Sequence, residues 1–125
     1  RYSSAESLAL PDATTAYASA KSTLRTYSKA ITKELGPKGV RDNTVDPGWF
    51  MTESSVDLLK RLQAAHGGTI EEARQVVLDS LGGIPIGRAA ESHEVADLIA
   101  YLASDRAAAI HGVEFVIDGG TIRTV

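Results

Sequence analysis

The order of helical and strand-like segments most constrains what this chain can fold into. Four segments have the helical spacing of apolar residues: 15–35, 54–65, 69–81 and 92–103. The segments 40–45 and 113–118 are rich in β-branched and apolar residues and predict strands. Helices that alternate with strands in this way predict an α/β protein with a parallel sheet.

The predicted strands are too few for the helices that they would have to carry. Residues 1–4 predict the end of a further strand, and a loop follows over 5–13. Parallel sheets are normally buried on both faces, which two strands cannot achieve. The sequence therefore predicts half of a larger sheet. An opening at Arg1 instead of Met favours a processed chain or part of a longer one.

Local signals set the ends of two helices. Gly36 and Pro37 predict that the first helix stops there, with glycine just past its end. Thr69, followed three residues later by Glu72, predicts a capping box at the start of the helix over 69–81. Gly67 and Gly68 separate that helix from the preceding one.

Tyr17 and Lys21 carry the strongest chemical signal in the first helix. Residues four apart share one helix face, so both side chains can enter the same site. A free phenol has a pKa near 10, and a nearby ammonium group favours the phenolate. Such a tyrosine can exchange a proton with a carbonyl or alcohol oxygen. Alone, the pair is better explained as a half-buried tyrosine beside a lysine whose ammonium group extends to solvent.

The surrounding motifs favour the catalytic interpretation of Tyr17 and Lys21. In order, the chain contains "YSS", Tyr17 thirteen residues after Ser4, Lys21, "DPGWFMT", "PIGR" and "VIDGG". This set resembles the C-terminal half of the classical short-chain dehydrogenase/reductase family, over essentially all 125 residues. The resemblance implies a doubly wound Rossmann-type fold without its N-terminal nucleotide-binding strands, in a single unit covering 1–125.

The resemblance also implies roles for individual residues. Ser4 would hold and polarise the substrate carbonyl, and Tyr17 would be the acid/base. Lys21 would lower the pKa of Tyr17 and bind the nicotinamide ribose. Pro47 and Gly48 would form the turn beside the nicotinamide.

Further positions match the family less specifically. Phe50, through its backbone, and Thr52, through its side chain, would contact the carboxamide. A strand-end cap at Ser4, a helix cap at Thr52 and core packing of Trp49 and Phe50 are the structural alternatives. Residues 53–83 would form the substrate lid, and "VIDGG" a strand at a subunit interface.

The implied function is NAD(P)-dependent hydride transfer between the nicotinamide of NAD or NADP and a small carbonyl or alcohol substrate, in a homo-oligomer. The eleven glycines form no G-x-G-x-x-G, so the cofactor site is incomplete in this chain. The alternative is a truncated, non-catalytic remnant of the family that acts as an oligomerising or interaction module. The sequence does not identify the substrate or choose between NAD and NADP.

Two residues depart from the family pattern. Asp42 replaces a buried aliphatic residue, which predicts that this strand is more exposed or rearranged, because an unpaired buried carboxylate is costly. Asp46 replaces a small residue just before Pro47. A carboxylate there would change the field around the nicotinamide and weaken cofactor binding.

Composition excludes several other functions. A net charge of −3 argues against a nucleic-acid surface. No apolar run is long enough for a membrane span, and the lack of cysteine fits a cytoplasmic location. Arg25, Lys29 and Lys33 form a helix stripe that predicts a solvated face, with anion binding as the alternative. The three histidines have no metal-ligand spacing, which predicts surface or capping roles and no metal site.

Overall fold

The computed structural model describes residues 15–122 of the chain. Its helices and strands, in chain order, are α1 (Thr15–Leu35), β1 (Thr44–Pro47), β2 (Phe50–Met51), α2 (Glu53–His66), α3 (Ile70–Ser80), β3 (Ala90–Glu91), α4 (Ser92–Ala103) and β4 (Glu114–Ile117). Short 3₁₀ turns cover Gly36–Lys38 and Asp105–Ala107. The four predicted helices and the strand within 113–118 are confirmed.

The strands pair in parallel, as the alternating segments predicted. β1 lies beside β4, with Thr44 opposite Glu114 and Pro47 opposite Ile117. A second parallel pair joins β2 to β3. Sequence reasoning missed this pair because strands of two residues are too short to show a periodicity.

The two faces of the β1–β4 sheet differ in polarity. Successive side chains of a strand point to opposite faces, so Val45, Phe115 and Ile117 share one face. This face packs on α4 and forms the main apolar cluster, which contains Val45, Phe50, Val95, Leu98, Leu102, Ala107, Ile110, Phe115 and Ile117. The opposite face presents Thr44, Asp46 and Glu114 to α1.

Helices α2 and α3 form a hairpin with an apolar cluster of its own. The buried residues of that cluster are Leu59, Ala73 and Val77, and Trp49, Met51, Leu62 and Leu81 pack against them. The predicted capping box is confirmed: the amide of Glu72 donates to Thr69 Oγ1 at 3.2 Å, and the amide of Thr69 donates to Glu72 Oε2 at 2.6 Å.

Helix α1 ends at Leu35, directly before Gly36, so the predicted stop at the Gly-Pro pair is confirmed. The chain continues through the 3₁₀ turn, and Gly39 is the residue with left-handed backbone, at φ 74°. The amide of Val40 then donates to the carbonyl of Leu35 at 3.2 Å. The left-handed glycine therefore comes three residues after the helix end that the Gly-Pro pair marks.

The first strand also begins later than predicted, at Thr44 instead of Val40. Side chains of the preceding residues bind the loop before β4. The Asn43 amide nitrogen donates to the carbonyl of Ile110 at 3.0 Å, and Asn43 Oδ1 accepts from the amide of Val113 at 3.1 Å. These contacts tie this part of the chain to the neighbouring loop without a strand ladder.

An ion pair fixes the start of α4. Arg88 of the "PIGR" motif donates two hydrogen bonds of 2.8 Å to the Glu94 carboxylate. The amide of Glu91 donates to the same carboxylate at 2.7 Å. The hydrogen bond from Arg88 first, and then that from Glu91, lower the pKa of Glu94 from 4.5 to about 2.

We expect Glu94 to titrate near that value in a carboxyl-carbon NMR titration. Because its pKa is lowered in the fold, the group contributes stability above the ordinary pKa of 4.5, and loses it as the pH falls towards about 2. Replacing Arg88 with Gln should raise the Glu94 pKa part of the way back to 4.5, since the Glu91 amide remains. An ordinary pKa in the unchanged protein would contradict this arrangement.

Within residues 15–122, no helix is both long enough and apolar enough to cross a membrane.

Candidate active site

The tyrosine–lysine pair lies at the N-terminal end of α1. The Lys21 ammonium nitrogen is 5.5 Å from the centroid of the Tyr17 ring, within cation–π distance. Tyr17 is 42% exposed, so its ring is open to solvent on one side. The structure thus brings together the two residues that the spacing predicted on one helix face.

Ser4 lies outside the described residues, as do the strand end predicted over 1–4 and the loop predicted over 5–13. Its predicted role at the substrate carbonyl stays a prediction.

Pro47 and Gly48 lie at the carboxyl end of β1. The amide of Gly48 donates to the carbonyl of Ile117 at 3.0 Å. A Cβ atom added at Gly48 would lie 2.7 Å from Asp118 Cβ and 2.8 Å from Asp118 Cα. Only glycine lets the two strand ends approach this closely. The "DPGW" and "VIDGG" motifs therefore meet at the carboxyl edge of the sheet, where open α/β sheets bind their ligands.

Thr52 acts as the N-cap of α2. Its Oγ1 accepts the amide hydrogen of Ser55 at 3.2 Å, and Ser55 Oγ donates to the carbonyl of Phe50 at 2.9 Å. The capping alternative is therefore what the structure shows for Thr52, and its contact with a carboxamide stays a prediction. Phe50 packs on the main apolar cluster and Trp49 on the hairpin cluster.

Helix α1 crosses the sheet antiparallel to its strands. Thr44 Oγ1 donates to Ser28 Oγ at 3.1 Å, and Arg25 Nε lies 3.3 Å from Asp46 Oδ2. As the residue number falls along α1, the contacted position moves towards the carboxyl end of β1. Lys21 lies one helical turn, or about 6 Å, beyond Arg25. Gly48 lies two strand residues, or roughly 7 Å, beyond Asp46.

Sequence reasoning missed a cluster of charged side chains between α1 and the sheet, formed by Arg25, Asp46 and Glu114. Arg25 donates to both oxygens of Glu114, with 2.6 Å between Nη2 and Oε2. The Asp46 side chain is 0% exposed and that of Arg25 is 21% exposed. The predicted solvated stripe is thus wrong at Arg25. It holds at Lys29 and Lys33, which are exposed, although the Lys29 ammonium also donates to the carbonyl of Gly112 at 2.7 Å.

The opposite charges in this cluster stabilise each other. The hydrogen bonds with Glu114 raise the pKa of Arg25 more than burial lowers it, and the charges of Glu114 and Asp46 raise it further. Burial acts to raise the pKa of Glu114. The hydrogen bonds with Arg25 and Asp46 and the charge of Arg25 outweigh burial, so this pKa lies below its ordinary value.

The structure also corrects the prediction that the segment around Asp42 is more exposed. Asp42 lies before β1 and is only 8% exposed, so the prediction of a more exposed segment is wrong, and that of a local rearrangement stays a prediction. Ser28 donates its hydroxyl hydrogen to the carboxylate, which offsets the cost of burial.

His111 joins the same region to α1. The amide of Asp42 donates to His111 Nδ1 at 3.0 Å, and Nε2 lies 2.8 Å from the carbonyl of Thr32. The first contact makes Nδ1 the acceptor, so Nε2 carries the hydrogen and caps the C-terminal turn of α1. Within residues 15–122, no three histidine or acidic side chains cluster as metal ligands would.

Comparison with known proteins agrees with this architecture. The family profile described as enoyl-(acyl carrier protein) reductase matches residues 2–121. The chain is 35% identical over 120 residues to 3-alpha-(or 20-beta)-hydroxysteroid dehydrogenase of Mycobacterium tuberculosis, covering 96% of the chain and 39% of that protein. It is 34% identical over 105 residues to cyclopentanol dehydrogenase of Comamonas testosteroni, covering 84% of the chain and 37% of that protein.

A solved structure gives the same result for the fold. The crystal structure of L-sorbose reductase from Gluconobacter frateurii, complexed with NADPH and L-sorbose, superimposes with a TM-score of 0.91 at 27% identity. The superposition covers 99% of this chain and 46% of that one. The chain belongs to the short-chain dehydrogenase/reductase family, has the fold of its C-terminal portion, and spans less than half the length of these relatives.

Proposed function

We propose that this chain contributes the catalytic tyrosine and lysine of an NAD(P)-dependent oxidoreductase that interconverts a small carbonyl compound and its alcohol. The antiparallel crossing of α1 over β1 carries the proposal. It brings the end of α1 that bears Tyr17 and Lys21 towards the strand ends at Pro47 and Gly48. We further propose a cytoplasmic, homo-oligomeric protein, by analogy with the family.

The residues at the carboxyl edge suit the nicotinamide end of the cofactor. Lys21 offers an ammonium group to ribose hydroxyls, and the backbone near Gly48 and Phe50 offers polar groups to a carboxamide. The pyrophosphate has no glycine-rich loop in this sequence to bind it. The chain therefore fits one end of the dinucleotide, and the other end requires residues beyond this sequence.

In the proposed reduction, each side chain acts on the substrate oxygen or on its partner. A bound reduced nicotinamide supplies the hydride that adds to the carbonyl carbon. Ser4 donates a hydrogen bond to the carbonyl oxygen, and Tyr17 transfers its hydroxyl proton to that oxygen as the alcohol forms. The phenolate left on Tyr17 is stabilised by the Lys21 ammonium beside the ring, and regains its proton from solvent.

We propose that residues 53–83 form a lid over the substrate. Two observations support this. The α2–α3 hairpin has its own apolar cluster, and its first helix begins six residues after Pro47. Trp49, which packs against that cluster, links the lid to the turn at Gly48.

The proposal is tested in the longest natural polypeptide that contains this sequence. We expect it to bind NADH or NADPH, measured by nucleotide fluorescence, and to oxidise the nucleotide with a ketone. The substrates to try are cyclopentanone, a 20-oxosteroid and L-sorbose, since relatives are named for cyclopentanol, hydroxysteroids and L-sorbose. The isolated 125-residue chain is the control and should show no turnover.

Two results would contradict the proposal. Absence of nucleotide binding by the longest polypeptide would favour the alternative of a non-catalytic remnant. Nucleotide binding without turnover of any ketone or alcohol would remove the proposed chemistry. Light scattering on the same samples tests the homo-oligomer, and a monodisperse monomer would exclude it.

A further inference from the structure

The interface between α1 and the sheet is polar at the point where a helix usually packs through apolar side chains. Thr44, Asp46 and Glu114 face the helix, and Ser28 and Arg25 meet them. The opposite face of the same sheet is apolar and packs on α4. Buried hydrogen bonds and ion pairs fix the register of packed elements in some proteins.

We propose that Arg25 is a positioning residue for the active site, because it locks α1 in the register and rotation that aim Tyr17 and Lys21 at the end of β1. This inference rests on the proposed function. Arg25 would touch neither substrate nor cofactor, and would act through Asp46 and Glu114.

The geometry favours this role over one of stabilisation alone. One guanidinium contacts carboxylates on two different strands, so α1 cannot slide or rotate without breaking a contact to β1 or to β4. The Asp46 carboxylate is fully buried directly before Pro47. The helix is thus tied to the residue that begins the turn at the proposed nicotinamide site.

The position of Arg25 along the helix supports the same conclusion. Ser28, Lys29 and Thr32 also bind the sheet or its loops, through Asp42, Gly112 and His111. Arg25 lies nearest to the pair among these four, one turn from Lys21 and two turns from Tyr17. A small rotation at Arg25 would displace the Tyr17 hydroxyl, and a displacement near 1 Å can cost a large factor in rate.

The choice of arginine matters. Its planar fork can bind a carboxylate through two nitrogens while the same group contacts a second carboxylate. A lysine offers one point charge on a flexible stem. We therefore expect Arg25→Lys to keep the net charge of the cluster but to lose the fixed orientation of α1 on the sheet.

The test compares three variants of the longest natural polypeptide that contains this chain. The triple variant Arg25→Met, Asp46→Ala, Glu114→Gln removes the whole cluster, so no buried charge is left unpaired and the fold should persist. Arg25→Lys keeps one positive charge. Lys29→Met is the matched control, because it removes a cation that binds the Gly112 carbonyl one turn further from Tyr17.

We expect the triple variant to lose kcat by about tenfold or more. Its KM for the ketone and its Tm should stay close to those of the unchanged protein. Arg25→Lys should lose kcat to a smaller extent, and Lys29→Met should change kcat by less than about twofold. A purely stabilising cluster would lower Tm without separating kcat from KM.

Each other outcome overturns a defined part of the account. An unchanged kcat in the triple variant, or an equal loss in Lys29→Met, would overturn the role of Arg25 and leave the proposed function intact. If the triple variant does not fold, the kcat of Arg25→Lys is the deciding measurement. A kcat equal to that of the unchanged protein would overturn the positioning role of Arg25. If the unchanged protein transfers no hydride, the proposed function fails first and this role fails with it.

Discussion

Replacing Tyr17 with phenylalanine should lower kcat by about 10²- to 10⁴-fold, the usual contribution of a positioned acid/base. The substitution removes one oxygen from a ring that is 42% exposed, so the helix and its packing should persist. Circular dichroism and Tm should match those of the unchanged protein, and nucleotide affinity should change little. Steady-state kinetics with the best ketone measure the effect.

The chain offers a matched control for that substitution. The Tyr101 ring is also exposed, and the guanidinium carbon of Arg106 lies 5.6 Å from its centroid, close to the 5.5 Å between Lys21 and Tyr17. Tyr101→Phe removes the same phenol oxygen beside a cation at a similar distance, on α4 instead of α1. We expect full activity in this variant. Retained turnover in Tyr17→Phe would contradict the proposed role of Tyr17 as the proton donor.

The second large effect is expected at Gly48. An alanine there would place its Cβ 2.7 Å from Asp118 Cβ and 2.8 Å from Asp118 Cα. Asp118 cannot easily move, because its carboxylate accepts amide hydrogens from Gly120 at 2.8 Å and Ile122 at 2.7 Å. We expect Gly48→Ala to lower the free energy of unfolding by about 1–3 kcal/mol, the usual cost of overpacking. Urea unfolding measures this loss.

Activity should fall with stability in Gly48→Ala, since the turn must shift away from β4 at the proposed nicotinamide site. Gly39→Ala is the control. An added Cβ there meets no atom within 4 Å, so its cost comes only from the left-handed backbone at φ 74°. We expect unchanged turnover in that variant. Wild-type stability and turnover in Gly48→Ala would contradict the close approach of the two strand ends.

The helices were predictable because local signals define them. The 3.6-residue spacing marks α1 and α4, and the Thr69–Glu72 capping box marks the start of α3. The shift of β1 was not predictable. It depends on the hydrogen bonds of Asn43 with the loop before β4, almost 70 positions away in sequence.

Only the part of the site that depends on local geometry was predictable from the sequence. Tyr17 and Lys21 are one helical turn apart, so their contact follows from local geometry. The contacts of Arg25 with Asp46 and Glu114 depend on the register of β1 against β4 and on where α1 crosses them. The sequence showed that Asp46 departs from the family pattern. It did not show that Arg25 is the partner of this carboxylate. A search for basic residues on the helix that precedes such a departure would have found Arg25.

The most direct test of the central claim is hydride transfer itself. The longest natural polypeptide that contains this chain is incubated with the best ketone and with a reduced nicotinamide nucleotide that carries deuterium at both hydrogen positions of C4, and the alcohol is analysed by mass spectrometry. The account predicts one deuterium on the former carbonyl carbon, at a rate that falls with Tyr17→Phe and not with Tyr101→Phe. An alcohol without deuterium, or labelled equally fast by Tyr17→Phe, would contradict it.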